Sequence, residues 1–214
     1  MKKLSDLPNK IPVFPLSNFI IFPRTTVPLN IFEPRYIQMI DDCMKGNRLI
    51  GMIQPKKTGN LKKPNLYKTG CVGKITSFNE TEDSRYLIVL NGICRYEIKS
   101  EIETDKLYRE CKIDFGKYSN DLEEIKEELN FSDLKLIFND LKSLFKKQGY
   151  LINWKDIEKQ SLDQTINTLS MASPFTLEEK QVLLETKDLI ARKKSLEDIL
   201  NTYTNDNFTS KTIQ

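Results

Sequence analysis

The sequence has 214 residues, with 33 lysines and arginines, 30 aspartates and glutamates, and no histidine. A hydrophobic fraction of 39% is enough for a buried core, so the composition excludes an intrinsically disordered chain. The absence of histidine excludes Ser-His and Cys-His nucleophile pairs, histidine-ligated metals and histidine as a general base. The length permits one large domain or two small ones.

The cysteines and the lengths of the apolar runs indicate in which cellular compartment the protein is found. No two of the four cysteines form a C-x-x-C pair, which argues against a zinc knuckle or a thioredoxin-like motif; they are Cys43, Cys71, Cys94 and Cys111. The N-terminal lysines are followed by Asp6, Pro8 and Lys10 where a signal peptide needs an apolar run. No apolar run approaches the roughly 18 residues of a membrane span. We therefore predict a cytoplasmic protein with reduced thiols, no metal, no cofactor and no membrane partner.

The first half of the chain has the pattern of β structure. Short apolar segments bounded by proline are typical of edge strands or of strands that turn corners. Pro34 at the start of the next segment favours a helix, because proline is tolerated at the first helical position. The elements predicted in chain order are strands or extended segments at 11–15, 18–23 and 26–32, a helix at 34–45, a strand at 48–54 and a loop at 55–67.

The strand pattern then continues to about residue 118. Segments 71–78 and 85–91, separated by a polar stretch, predict a hairpin. Asn91-Gly92 is the strongest short turn signal in the chain and predicts a second turn before a strand at 93–100. A last strand is predicted from about 107 to 118. Seven or eight short strands with one helix suit a closed or nearly closed barrel.

The second half changes to helical periodicity. Apolar residues predict one helix over about 122–149 and a second from 153 or 154 through Leu169, which Ser173-Pro174 ends. Thr176 and Glu179 then form a capping box for one or two final helices, which run to Tyr203. The net charge is +7 over residues 1–118 and −4 over 119–214. We predict a barrel at 1–118, a helical bundle at 119–204 and a polar, frayed tail at 205–214.

The sequence carries little that suggests catalysis. It has no phosphate loop, no G-x-G-x-x-G and no G-x-S-x-G, so we predict that the chain is not an enzyme. Arg35, in the first turn of the predicted helix, either reaches a carboxylate or a backbone carbonyl or contacts a ligand. A lysine-rich stretch is either a solvated loop or a nucleic-acid contact; the contact residues would be Lys56, Lys57, Lys62 and Lys63.

An ordered series of motifs resembles a known family. These motifs are PVFPLSNFIIFPRTTVPLNIFEPRY at 12–36, RLIGMIQP at 48–55, GCVGKITSF at 70–78, RYLIVLNGICRYEI at 85–98 and NTLSMASPFTLEEKQVLLETKDLIARKKSLEDIL at 167–200. Together they resemble the Lon protease N-terminal (substrate-binding) domain over residues 10–203. The resemblance implies an α+β fold, with a PUA-like mixed or antiparallel β pseudo-barrel that contains one inserted helix, followed by a C-terminal α-helical bundle. The phosphate loop and the Ser-Lys protease domain of a complete Lon protease are not found in this sequence, which is similar to free-standing Lon N-domain proteins of bacteria.

The resemblance also implies a function. It suggests a non-catalytic module that recognises unfolded or flexible polypeptide, with an open strand edge for main-chain pairing. The residues nominated for this contact lie near the barrel corners: Phe19, Phe22, Pro23, Arg24 and Arg35. Phe19 and Phe22 are equally consistent with a place in the core. The alternatives are an RNA-binding PUA-like protein and an adaptor that docks onto a separate protease or another partner, such as a chaperone.

Overall fold

The computed structural model describes residues 4–17, 19–60, 63–123 and 134–209. The chain divides into two compact units, residues 1–123 and 124–214. The predicted boundary at 118–119 falls inside a 3-10 helix (Gly116–Leu122), whose residues lie in the first unit.

The described part of the first unit contains eight strands and one α-helix. They are β1 (Lys10–Pro15), β2 (Thr26–Ile31), α1 (Pro34–Met44), β3 (Leu49–Ile53), β4 (Pro55–Asn60), β5 (Lys63–Leu66), β6 (Thr69–Glu80), β7 (Tyr86–Ile102) and β8 (Arg109–Asp114). The segment at 19–25 is not a strand; it is the corner that leads from β1 to β2.

Six of these strands form one sheet that closes on itself. Their order is β2-β7-β6-β3-β1-β8, and β7 also pairs with β8. The pair β1–β3 is parallel and the other neighbours are antiparallel. This confirms the predicted mixed, mostly antiparallel barrel with one inserted helix. Alternating apolar residues fill its interior, where one cluster of buried side chains is formed by Ile11, Val13, Leu49, Ile53, Val72, Cys94, Tyr96, Cys111, Ile113, Phe115 and Tyr118.

Two predictions for this unit are wrong. Most of the segment at 55–67, predicted as a loop, forms the separate hairpin β4–β5. Its polar, lysine-rich sequence lacks the alternation that marks a half-buried strand. Asn91-Gly92, predicted as a turn, lies inside the 17-residue strand β7. There the ladder with β6 shifts register between Val72 and Gly73, so the strand bends without ending.

Helix α1 packs one face onto the barrel. Pro34 occupies its first turn, as predicted, and its buried side chains are Tyr36, Met39, Ile40 and Cys43. The Tyr36 ring lies 4.2 Å from that of Phe14 on β1, measured between centroids. The Tyr36 hydroxyl donates to the Pro15 carbonyl at 3.3 Å. These contacts hold the start of the helix against the strand that precedes the 19–25 corner.

A buried ion pair joins β7 to the 3-10 helix. The side chains of Arg95 and Asp121 are only 2% and 9% exposed. The Asp121 carboxylate accepts from the Arg95 backbone N–H at 2.9 Å, from Nε at 2.8 Å and from a terminal guanidinium nitrogen at 2.7 Å. The guanidinium also lies 4.2 Å from the Tyr118 ring centroid. Because the two charges offset each other, the 3-10 helix can pack against β7 with both side chains buried.

The described part of the second unit is helical. Its helices are α2 (Lys135–Lys147), α3 (Trp154–Ile157), α4 (Leu162–Ala172), α5 (Leu177–Glu185) and α6 (Leu189–Thr209). The predicted single helix from 153 through 169 is in fact two, because Ser161 starts α4 with its own capping box. The predicted box of Thr176 and Glu179 is present and starts α5. Helix α6 continues to Thr209, beyond the predicted start of the tail, and residues 124–133 of the first predicted helix lie outside the described residues.

Removing the Asp121 charge tests the ion pair. We expect Asp121→Ala to lower the free energy of unfolding by about 3–5 kcal/mol, because it leaves the buried Arg95 guanidinium without its counter-charge. Urea denaturation of the full chain measures this. Asp114→Asn is the matched control, since the Lys99–Asp114 pair is about half exposed on both sides and should contribute little. An equally small effect of both substitutions would contradict the role given to Arg95–Asp121.

The four thiols provide a second test of this unit. Cys43, Cys71, Cys94 and Cys111 are all buried. Burial raises the pKa of Cys43 to about 12 and that of Cys111 to about 11, and it also raises the pKa of Cys94. A raised pKa lowers the thiolate fraction at about pH 8, and the thiolate is the reactive form. We therefore expect iodoacetamide to label the native protein very slowly and the urea-unfolded protein completely, as read by mass spectrometry; rapid native labelling would contradict this burial.

Candidate functional site

Strand β2 forms an open edge of the sheet. Among the residues that the structure describes, β2 pairs only with β7, from Thr26 opposite Asn91 to Ile31 opposite Tyr86. A strand with one neighbour leaves half of its backbone N–H and C=O groups without a partner strand. Such an edge can accept another strand.

One hydrogen bond determines which groups point outward. The Gly92 N–H donates to the Thr25 carbonyl at 2.8 Å. The next pair along the ladder, Thr26–Asn91, is therefore of the type that is not hydrogen-bonded. Pairs alternate along an antiparallel ladder, and Pro28–Val89 and Asn30–Leu87 are therefore of the same type. The backbone groups of Thr26, Pro28 and Asn30 thus point away from β7, towards the open edge.

Proline at position 28 fits this register. Its ring removes an N–H that would point outward, so β2 keeps all of its bonds to β7. The edge then offers two N–H donors, those of Thr26 and Asn30, and three carbonyl acceptors. The sequence contains the local signal for this edge, a proline inside a strand, but it does not identify Thr26 and Asn30 as the donors.

The outer face beside this edge has little charge. Residues directly opposite each other in a sheet share a face, and Val27, Leu90 and Ile75 form a buried row on the inner face. The neighbouring outer rows are Pro28–Val89–Ser77 and Asn30–Leu87–Asn79. These six side chains are exposed or half-buried, and none is charged. The nearest charges in the ladder between β6 and β7 flank these rows, at Lys74 opposite Asn91 on one side and at Glu80 opposite Tyr86 on the other.

The structure separates the residues nominated for peptide contact. Phe19 is half-buried, whereas Phe22 is fully buried and Pro23 is also buried. Phe22 is therefore a core residue, and its buried side chain is not accessible to a ligand. Arg24 is half-buried, with a positive φ of 61°, and its guanidinium donates to the Glu123 carbonyl.

Arg35 makes local contacts. Its guanidinium pairs with Glu33, just before α1, at 2.7 Å. It also lies 4.5 Å from the centroid of the Tyr36 ring. Its side chain is still 47% exposed. The partner is the carboxylate that immediately precedes the helix, so the pair orders the start of α1; a ligand contact for Arg35 remains a prediction.

The lysine-rich segment is interleaved with acidic side chains. Lys63 pairs with Glu101 at 2.9 Å, and the neighbouring Lys68 pairs with Glu97 at 3.4 Å. The Lys56 ammonium lies 5.6 Å from the Tyr67 ring centroid. Lys57 is exposed, and Lys62 lies outside the described residues. These pairings reduce the positive potential that a phosphate backbone would require.

Two further observations concern the described residues only. Within those ranges no three Cys, Asp or Glu side chains come together as a group able to hold a metal ion. No helix there has the length and apolar character needed to cross a membrane.

Gly92 lies against the 19–25 corner, which leads into the open edge strand β2. A Cβ atom at this position would lie 2.0 Å from the Phe22 carbonyl oxygen, well inside van der Waals contact. The Arg24 N–H also donates to the Gly92 carbonyl at 2.9 Å. The glycine is therefore needed because the 19–25 corner crosses β7 at close range.

A substitution at Gly92 tests this close approach. We expect Gly92→Ala to lower the free energy of unfolding by about 2 kcal/mol or more, because the clash is with backbone that has little room to move. Thermal and urea denaturation measure this. Gly46→Ala is the control, since a Cβ there would meet nothing closer than 3.8 Å. Equal stability of the two variants would contradict the crossing.

The sequence is similar to known proteins along most of its length. Residues 10–202 match the family model of the ATP-dependent protease La (LON) substrate-binding domain. The chain is 29% identical over 204 residues to the Lon protease of Desulfosudis oleivorans, covering 91% of this chain and 24% of that protein. It is 24% identical over 207 residues to the Lon protease of Syntrophus aciditrophicus, covering 93% and 26%. The chain thus spans about a quarter of the length of these curated relatives.

Solved structures share the fold. A Lon N-terminal domain protein from Xanthomonas campestris aligns with a TM-score of 0.62 and 19% identity, covering 90% of this chain and 97% of that one. The N-terminal domain of the Mycobacterium avium complex Lon protease aligns with a TM-score of 0.61 and 17% identity, covering 90% and 98%. At these identities the similarity concerns the fold alone, and it supports the mixed α+β architecture described above.

Proposed function

The chain belongs to the ATP-dependent protease La (LON) substrate-binding domain family, and from this premise we propose that it is a non-catalytic module that binds extended polypeptide at the open edge of β2. The observation that carries the proposal is the outward direction of the backbone groups of Thr26, Pro28 and Asn30. An extended segment that pairs with them would continue the sheet by one strand, a mode of recognition that depends mainly on main-chain hydrogen bonds.

The outer face gives this edge a preference for certain side chains. An added strand would place every second side chain beside the Pro28–Val89–Ser77 and Asn30–Leu87–Asn79 rows. Those rows offer apolar and uncharged polar surface, so a charged side chain placed there would lose hydration without gaining a partner. The edge therefore suits unfolded segments whose alternate residues are apolar or uncharged.

The proposal extends to the organisation and location of the protein. The barrel and the helical bundle would be two subdomains of one recognition module. A cytoplasmic location is supported by four buried cysteines that form no disulfide, as expected in a reducing compartment. RNA binding is less favoured, because Lys63 and Lys68 are paired with Glu101 and Glu97. An adaptor role towards a separate protease would use the same edge or the helical unit.

Proline substitution tests strand addition directly. Asn30→Pro removes an outward N–H in the register where Pro28 already stands, so the ladder with β7 should survive. We expect Asn30→Pro to weaken binding of a reduced, alkylated, permanently unfolded model protein by about three- to tenfold, the effect of one hydrogen bond. Fluorescence anisotropy measures the affinity. Asn30→Ala, which keeps the N–H, is the matched control and should bind as the unsubstituted chain does.

The converse variant makes the test two-sided. Pro28→Val adds an outward N–H at the centre of the edge and should tighten binding by a similar factor. Thermal melting of each variant checks that the fold is intact. The proposal fails if the unsubstituted chain does not bind at high micromolar concentration, or if Asn30→Pro and Asn30→Ala bind equally well.

A further inference from the structure

A second surface feature lies in the helical unit, at residues 148–155 between α2 and α3, which we call the α2–α3 tip. Here Tyr150 is 56% exposed and Leu151 is 101% exposed, so the leucine side chain protrudes fully into solvent. Because Tyr150 and Leu151 are adjacent in the chain, they present apolar surface to solvent at one place.

The tip is held in a defined conformation. Gly149 has a φ of +74° and turns the chain away from α2. The Tyr150 N–H donates to the Phe145 carbonyl at 3.0 Å. The Phe145 ring lies edge-on to both Tyr150 and Trp154, with centroids 6.0 and 5.7 Å apart. The protruding residues therefore stand on a packed aromatic base.

The surroundings of the tip are basic. Residues 142–159 contain five lysines and two acidic residues, whereas the rest of the 119–214 half has a net charge of −7. The two acidic residues are engaged, since Glu158 pairs with Lys142 and Asp156 with Lys159. Three exposed lysines, Lys146, Lys147 and Lys155, have no carboxylate within ion-pair distance among the described residues. Positive charge is thus concentrated in the sequence on both sides of Tyr150 and Leu151.

We propose that the α2–α3 tip is a peripheral contact for an anionic lipid surface. Leu151 and Tyr150 would enter the interfacial region of the bilayer, where Trp154, beside them, would also be favoured. Lys146, Lys147 and Lys155 would bind the anionic headgroups. An exposed apolar pair with lysines on both sides of it in the chain matches this layered chemistry, whereas an acidic polypeptide would gain nothing from the exposed leucine. Such a contact needs no membrane-spanning helix, but it departs from the sequence-based prediction that the chain has no membrane partner.

The chain contains its own reporter for this contact. Trp154 is the single tryptophan of the sequence and lies half-buried at the end of the tip. We expect vesicles of phosphatidylcholine with phosphatidylglycerol to shift the Trp154 emission to shorter wavelength. The 214-residue chain should also co-sediment with these vesicles on centrifugation. Vesicles of phosphatidylcholine alone should do neither, and added salt should reverse the binding because headgroup attraction is screened.

Substitutions separate the two contributions. Leu151→Ser should weaken vesicle binding about tenfold or more, because an apolar side chain no longer leaves water. Replacing lysine by glutamine at 146, 147 and 155 should weaken it by about fivefold per residue. Val182→Ser, at another exposed apolar position (57% exposed) on α5, is the matched control and should leave binding unchanged. Asn30→Pro should also have no effect, which keeps this test independent of the β2 edge.

Several results would overturn the proposal. They are the absence of binding to mixed vesicles, equal binding to both kinds of vesicle, or an affinity that Leu151→Ser does not change. Binding to poly-glutamate that is lost in the lysine variants, without vesicle binding, would instead assign the tip to an acidic polypeptide. Circular dichroism of each variant verifies folding, and full exposure of Leu151 makes its substitution harmless to the core.

Discussion

The backbone of β7 is the constraint on which the first unit depends. Its later residues pair with β8 and close the barrel, while its first residues pair with β2, which has no second neighbour among the described strands. The strand can serve both partners only because it bends where the ladder with β6 shifts register. Gly92 lies at that bend and admits the Phe22 carbonyl, so closure of the barrel, the 19–25 corner and the open edge share one backbone position.

Local sequence signals correctly predict features that depend on a few neighbouring residues, such as the starts of helices. Pro34 marked the start of α1, and the Thr176–Glu179 box marked the start of α5, because helix termini need these groups whatever the rest of the fold does. Asn91-Gly92 misled because a glycine required by a crossing chain has the same sequence signature as a glycine required by a turn. Phe22 was ambiguous for a similar reason: a corner residue of a barrel can face either side, and only the packed structure places it in the core.

The candidate edge was only partly visible in the sequence. A proline inside an extended segment already indicated an edge strand, and Pro28 lies in one. The direction of the Thr26 and Asn30 backbone groups depends on register with partners far along the chain, Asn91 and Leu87, which no local pattern encodes. The uncharged outer rows are likewise assembled from three separate strands. The family resemblance predicts the fold and polypeptide recognition. The strand register of the structure is needed to locate the candidate binding edge on β2.

Pro28 also affects whether the edge of β2 can pair with the same edge on a second copy of the protein. An edge able to capture foreign chains is equally able to capture an identical edge on another copy of the protein, and every successful pairing of that kind removes two binding sites. A proline at the middle of the edge interrupts the continuous ladder that two copies would form, whereas a flexible chain can adapt its alignment around the gap. If the edge of β2 binds polypeptide as proposed, Pro28 would favour transient, heterologous partners over self-assembly, because the edge lacks one backbone N–H donor at its centre.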